Sequence, residues 1–131
     1  TSDLPWERLK GELGVTLMER FPSVAFYDYT KVPSRAIAYA EGKMPANYHL
    51  TFSKSECNDE AVAAVLASGG NVAAVFSTAK ADELPETYGD HEVVDGDKTD
   101  LRFLDKDGVF VGLRAKGDAR SDNSGFTIKI G

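Results

Sequence analysis

NDEAVAAVLASGGNVAAVFST, residues 58–78, reads as a helix that runs directly into a buried strand, and that succession decides the fold. Asn58 stands at an N-cap, Asp59 and Glu60 place negative charge in the first turn, and Gly69 supplies the C-terminal stop. NVAAVFST (71–78) is apolar without alternation, as expected of a strand covered on both faces. Working backward, YHLTFS (48–53) and VAFYDYT (24–30) are rich in β-branched and aromatic residues and read as strands. Between them PSRAIAYAEGK (33–43) reads as a helix, with Pro33 in its first turn and Gly42 at C′. Residues 24–78 therefore run β-α-β-α-β, which implies parallel strands joined by right-handed crossovers.

The flanks differ. SDLPWERLK predicts an N-terminal helix capped by Ser2 or Asp3, and TLMERF a second short helix stopped by Pro22. Downstream, ADELPETYGD (81–90) reads as a loop and EVV as a short strand. DLRFL-DKDG-VFVGLR (100–114) has the form of a β-hairpin turning at Asp107–Gly108, and FTIKI (126–130) is a last alternating strand. The expectation is a single α/β domain over residues 1–131, with a parallel βαβαβ half followed by a β-hairpin-rich C-terminal third.

The chain has 131 residues and 42% hydrophobic composition, enough for one real core. Its longest apolar runs, VAAVLA and VAAVF, are far short of a membrane span. The N-terminus is not a secretory signal, and without an initiator Met it suits a processed product or a fragment. The single Cys57 cannot form an internal disulfide, and is expected to be a buried, inert thiol. A reducing cytoplasm is the simplest location. The net charge of −6 is local: residues 82–107 carry ten acids against Lys98, Arg102 and Lys106. That segment disfavours duplex nucleic acid and suits a cationic protein surface or a metal ion.

Within it, VVDGDKTDLRFLD (93–105) collects Asp95, Asp97 and Asp100. Counted as a calcium loop from Asp95, position 6 is Asp100 and position 12 is Lys106, so the EF-hand pattern fails. Magnesium needs fewer carboxylates, which leaves Asp95 and Asp97 as an alternative. The two histidines lie far apart and Cys57 is alone, so no zinc or iron–sulfur pattern is present and no metal site is assigned. His49, inside a strand, reads as structural. Neither a nucleophile elbow nor a phosphate-binding glycine loop occurs.

In parallel α/β sheets ligands bind beyond the C-terminal strand ends, where Asp28, Lys31, Ser53 and Glu56 fall; with Asp97 they are the candidate pocket. Lys54 belongs to the same strand end. Asp95, Asp97, Asp100, Asp105 and Asp107 are the candidate interaction face. Arg114, Lys116 and Arg120 are candidate anion contacts, or else a loop salt-linked to the acidic segment.

The phrases FYDYTK, NYHLTFSKSE, GGNVAAVF, LPETYGD, VVDGDKTDLRFLD and VGLRAKG follow one another from about residue 2 to residue 126. Together they resemble a family encoded mainly by actinobacterial phages and prophages, gene-product-88-like. The resemblance implies a phage setting, hence the host-cell cytoplasm, and specifies no reaction. It also implies that this chain corresponds to the C-terminal region of longer members, whose upstream part carries cysteines. If those members fold as a barrel-like βα array of the radical-SAM kind, this chain would be a half-barrel. Lacking those cysteines, it is not expected to hold an iron–sulfur cluster.

The leading expectation is thus a non-catalytic binder of a host or phage protein, a defence component included, through the acidic 82–107 segment. The alternative is an enzyme or small-ligand-binding domain using the strand ends. A third option is single-stranded nucleic acid on exposed tyrosines and the 114–120 basic loop. No cofactor is assigned.

Overall fold

The structure, a computed structural model, describes residues 3–12, 14–78, 83–98, 101–102, 105–116, 123–124 and 126–130. In chain order the elements are α1 (Leu17–Arg20), β1 (Phe26–Thr30), α2 (Pro33–Ala40), β2 (Tyr48–Ser53), α3 (Asp59–Ala67) and β3 (Asn71–Thr78). Then come β4 (Thr87–Tyr88), β5 (His91–Asp95), β6 (Phe110–Arg114) and β7 (Thr127–Ile130). Seven strands form one sheet in the order β1-β2-β3-β6-β5-β4, with β7 also pairing β3. Every pair is parallel except β4–β5, a hairpin closed at Gly89–Asp90. The fold is the expected mixed α/β, with helices alternating with parallel strands first and antiparallel pairing later.

The centre is β3. Phe52, Val72, Phe110 and Val93 stand in register across β2, β3, β6 and β5, so their side chains share one face. On that face Ala36 of α2 and Val62, Val65 and Leu66 of α3 pack with Phe52, Val72, Ala74 and Phe76 into the main core. The opposite row, Ala73 and Val111, is buried as well. A strand covered on both faces needs apolar side chains at every position, which is why NVAAVF shows no alternation. Asn71 pins the start of β3 to β6: its Nδ2 donates to the Lys106 carbonyl, and its Oδ1 accepts from the Val109 amide.

A second cluster holds the N-terminal segment, with Met18 buried against Tyr48 and Leu50. Arg35 clasps it. This buried guanidinium donates to both carboxylate oxygens of Glu7 and to the Tyr48 hydroxyl, and reaches Asp3. Burial opposes ionisation of Glu7, but the hydrogen bonds and charge of Arg35 outweigh it and hold the carboxyl below its ordinary value.

Four local expectations change. Residues 6–8 form a turn, bonded to Pro5, in place of the expected N-terminal helix; Gly11 follows too soon for more, and one turn is too short to sustain itself. Residues 100–114 are not a hairpin: both edges of β6 are taken by parallel partners, β3 and β5, so no antiparallel arm can join it. Asn58 flanks α3 without capping it by side chain; its amide accepts from the Ser55 amide and donates to the Ser53 carbonyl, closing the turn between β2 and α3. Cys57 lies in that turn and is exposed, because the turn stands outside the packed face. Among the described residues no helix is long and apolar enough to cross a membrane.

Phe76, 1% exposed in the core, should be costly to truncate. In urea unfolding, Phe76→Ala is expected to lose about 3–5 kcal/mol, and Val24→Ala, at an exposed site, less than about 1 kcal/mol. Equal losses would contradict the packing described.

Candidate functional site

The edge of β3 changes partner along its length, and a groove opens there. β2 pairs with Asn71–Ala73 and β7 with Val75–Thr78, while β6 keeps Val72–Phe76 on the other edge. β7 therefore takes the edge that β2 leaves after Lys54, whose amide donates to the Ala73 carbonyl. Over this change of partner lies a groove of about 670 Å³. Asp59, Val62, Ala63, Leu66 and Ala67 of α3 form one bank, and Tyr88, Gly89 and His91 of the β4–β5 hairpin the other. Phe110 and Ile128 lie between them.

The hairpin bank is held by aromatic packing. Tyr88 meets Phe76 and Phe110 edge-on, with ring centres 5.6 and 5.3 Å apart, and His91 meets Phe110 at 6.1 Å. His91 Nδ1 lies 3.3 Å from the Gly108 carbonyl. A carbonyl only accepts, so Nδ1 is the donor in this bond. At the other end the Lys54 side chain, 9% exposed, donates to the Ser55 carbonyl and pairs with Asp59 at 3.3 Å.

The sequence-selected pocket residues do not converge. Lys31 and Ser53 share a separate cleft of about 270 Å³ with Asp3, Tyr29 and Thr30. Asp28 lines a third cavity with Trp6 and Tyr48, and its carboxylate accepts from the Tyr29 amide. Glu56 is exposed in the turn before α3. Asp97 lies beyond β5, which β3 and β6 separate from β2 in the sheet. Tyr88 and His91 were not selected, and Lys54 was placed only at its strand end; the sign in the sequence was the wholly apolar AVAAVLA of α3, which implies more cover than one sheet face provides.

The acidic candidates divide between the two ends of the sheet. At the C-terminal end, Arg114 donates to both Asp95 oxygens at 2.9 Å and to Asp97 at 3.1 Å, and Lys116 stands 3.9 Å from Asp97. The geometry is that of a salt-linked pair of loops, with the oxygens a cation would use already engaged. Asp105 pairs with the buried Arg102 at 3.5 Å; burial pushes its carboxyl up and Arg102 draws it partly back. Asp107 is exposed ahead of β6, at the opposite end, where its charge acts on Tyr39 and His49. His49 itself is bonded to the Tyr39 hydroxyl, and burial lowers its pKa. Asp100 and Arg120 lie outside the described residues. Among the described residues, no three His, Cys, Asp or Glu side chains are grouped to hold a metal.

These features define a mixed α/β protein on an open, largely parallel sheet, with a groove between a crossover helix and an antiparallel hairpin. The chain belongs to the Gene product 88 family of phage gene products, whose family model matches residues 1–130. No curated protein and no solved structure matches it.

The Arg114 clamp generates a pH dependence. Hydrogen bonds from Arg114 hold the Asp95 carboxyl below its ordinary value. A depressed carboxyl stabilises the fold fully above the unfolded value, about 4, and the contribution is lost as pH falls through the folded value. Asp95→Asn is expected to cost about 1 kcal/mol at neutral pH, as for a partly exposed pair. Its loss of stability on acidification below about pH 4 should be shallower than that of the parent chain. Parallel urea curves at neutral and acid pH would show an unchanged slope if the clamp were without effect.

Proposed function

We propose that this protein acts by binding another protein, of host or phage, and that it recognises a basic segment through the acidic β4–β5 hairpin. One observation carries the reading. Asp95 and Asp97 are held by Arg114, Asp105 by Arg102 and Glu92 by Lys106, whereas Glu83, Glu86, Asp90 and Asp107 are exposed without an ion pair among the described residues. Glu86 and Asp90 flank Tyr88 and Gly89, so uncompensated charge stands directly on one bank of an apolar groove. An apolar centre with a charged rim is the common anatomy of a protein-binding surface. The rim charges guide encounter and select the sign of the partner. On this reading the segment acts through the hairpin and not through Asp95, Asp97 and Asp105, whose charges are already paired.

A fluorescent lysine- and arginine-rich peptide provides the test. Glu86→Lys with Asp90→Lys should weaken binding on the order of tenfold or more, and raising salt from about 0.05 to 0.5 M should do likewise. Asp95→Asn should leave the affinity unchanged, since that carboxylate already serves Arg114. Binding indifferent to both the reversals and salt would overturn the reading.

A further inference from the structure

Residues 61–67 of α3 read AVAAVLA, without one polar side chain. A helix apolar on all sides belongs where all sides are covered. Val62, Val65 and Leu66 are covered by the core, yet Ala63, Ala64 and Ala67 are exposed. Toward the groove α3 presents Asp59, Val62, Ala63, Leu66 and Ala67, the i, i+3, i+4, i+7, i+8 stripe by which one helix receives another. The β1–β2 and β2–β3 connections each lay a helix on this face of the sheet. The described part of the β3–β5 connection, 83–90, contains none, and Leu84 and Tyr88 pack over the core there.

We propose that the groove receives an amphipathic α-helix of the partner protein, seated beside α3 with basic residues flanking its apolar stripe. This rests on the reading that the partner is basic, and adds its conformation. The dimensions agree: the α3 stripe from residue 59 to 67 is about 12 Å long, and apolar anchors at i and i+7 span about 10.5 Å. Ala63 and Ala67 let a second helix axis approach to about 8 Å, the close end of helix packing. Exposed acids, Glu86 and Asp90, flank the hairpin bank, while the acid of the α3 bank, Asp59, is paired with Lys54. The two lysines of the groove are engaged, Lys54 with Asp59 and Lys129 with the side-chain oxygen Oδ1 of Asn123. An added strand would find only short edges at the groove, two residues in β4 and four in β7. A second copy of this chain, offering its own α3, would set Asp59 and Glu60 against Glu86 and Asp90.

The experiment compares two labelled basic peptides of equal net charge and about 14 residues, long enough for helix only when stapled. One is stapled as a helix with leucines at i, i+3/i+4 and i+7, in a panel covering each stripe register, and the other carries a central proline. Anisotropy titrations use the whole chain, the double variant Ala63→Gln/Ala67→Gln and the control Ala64→Gln, which alters the same helix outside the groove. All three should keep their circular dichroism, since the changed residues are exposed and glutamine forms helix well. The expected result is a helical peptide binding at least about tenfold more tightly than the proline peptide, with that preference lost in the double variant and kept in the control. Equal affinity of both peptides, or a preference untouched by the double variant, would overturn the helical occupant while leaving the basic-partner reading standing. Binding by neither peptide would overturn both.

Discussion

Strand β3 divides its two edges among three parallel neighbours: β2 over Asn71–Ala73, β7 over Val75–Thr78 and β6 over Val72–Phe76. A strand has only two edges, so β2 must depart before β7 can pair. The turn held by Asn58 carries the chain away at that point, and the last ladder bond, from the Lys54 amide, marks where it leaves. The groove follows from this geometry, for α3 starts beside the departing strand and β7 arrives on the edge that β2 has left. Fold and candidate site thus have one cause, and the register of β3, pinned by Asn71, sets both.

Charge is distributed by the same backbone. In a parallel sheet all strand ends of one kind lie together, so residues near each other in sequence but on either side of a strand end up at opposite edges. Asp95 ends β5 and Asp97 follows it, and both meet Arg114 at the end of β6, whereas Asp107 precedes β6 and lies at the far edge. A segment whose composition suggests one acidic face is thereby split into a neutralised cluster, a buried pair and an exposed hairpin. Among the described residues of the segment, the hairpin and the exposed Asp107 retain charge that another molecule could use.

Legibility in the sequence followed the range of the interactions involved. β2 and β3 were readable to the residue, because burial on both faces imposes a local composition. Helix α3 was readable from its flanking glycine and early acids, although Asn58 turned out to spend its amide on the turn behind it. The Asp107–Gly108 pair was read as a hairpin turn, and Gly108 does adopt φ +71°. A turn signal says that the chain reverses locally and nothing about which strand is waiting; here both edges of β6 were claimed by strands distant in sequence. The strand-end pocket failed to assemble partly for the same reason: Asp97 lies beyond β5, which β3 and β6 separate from the β1–β2 pair that carries Asp28 and Ser53. Groove residues such as Tyr88 and His91 come together with α3 only through that long-range order.

The exposed alanines of α3 have an alternative explanation in helix propensity, since alanine is the best helix former. Propensity alone does not account for them. Glutamate, lysine, arginine and glutamine cost only a few tenths of a kcal/mol more in a helix and would cover an exposed side with polar groups. At Ala63 and Ala67 any of these would fill the space between α3 and the hairpin, and at Ala64 none would, since it lies outside the groove. The two positions where small size has a geometric consequence are therefore those that border Leu66, Tyr88 and Phe110, and their smallness is better read as room left for a neighbouring backbone than as reinforcement of the helix itself.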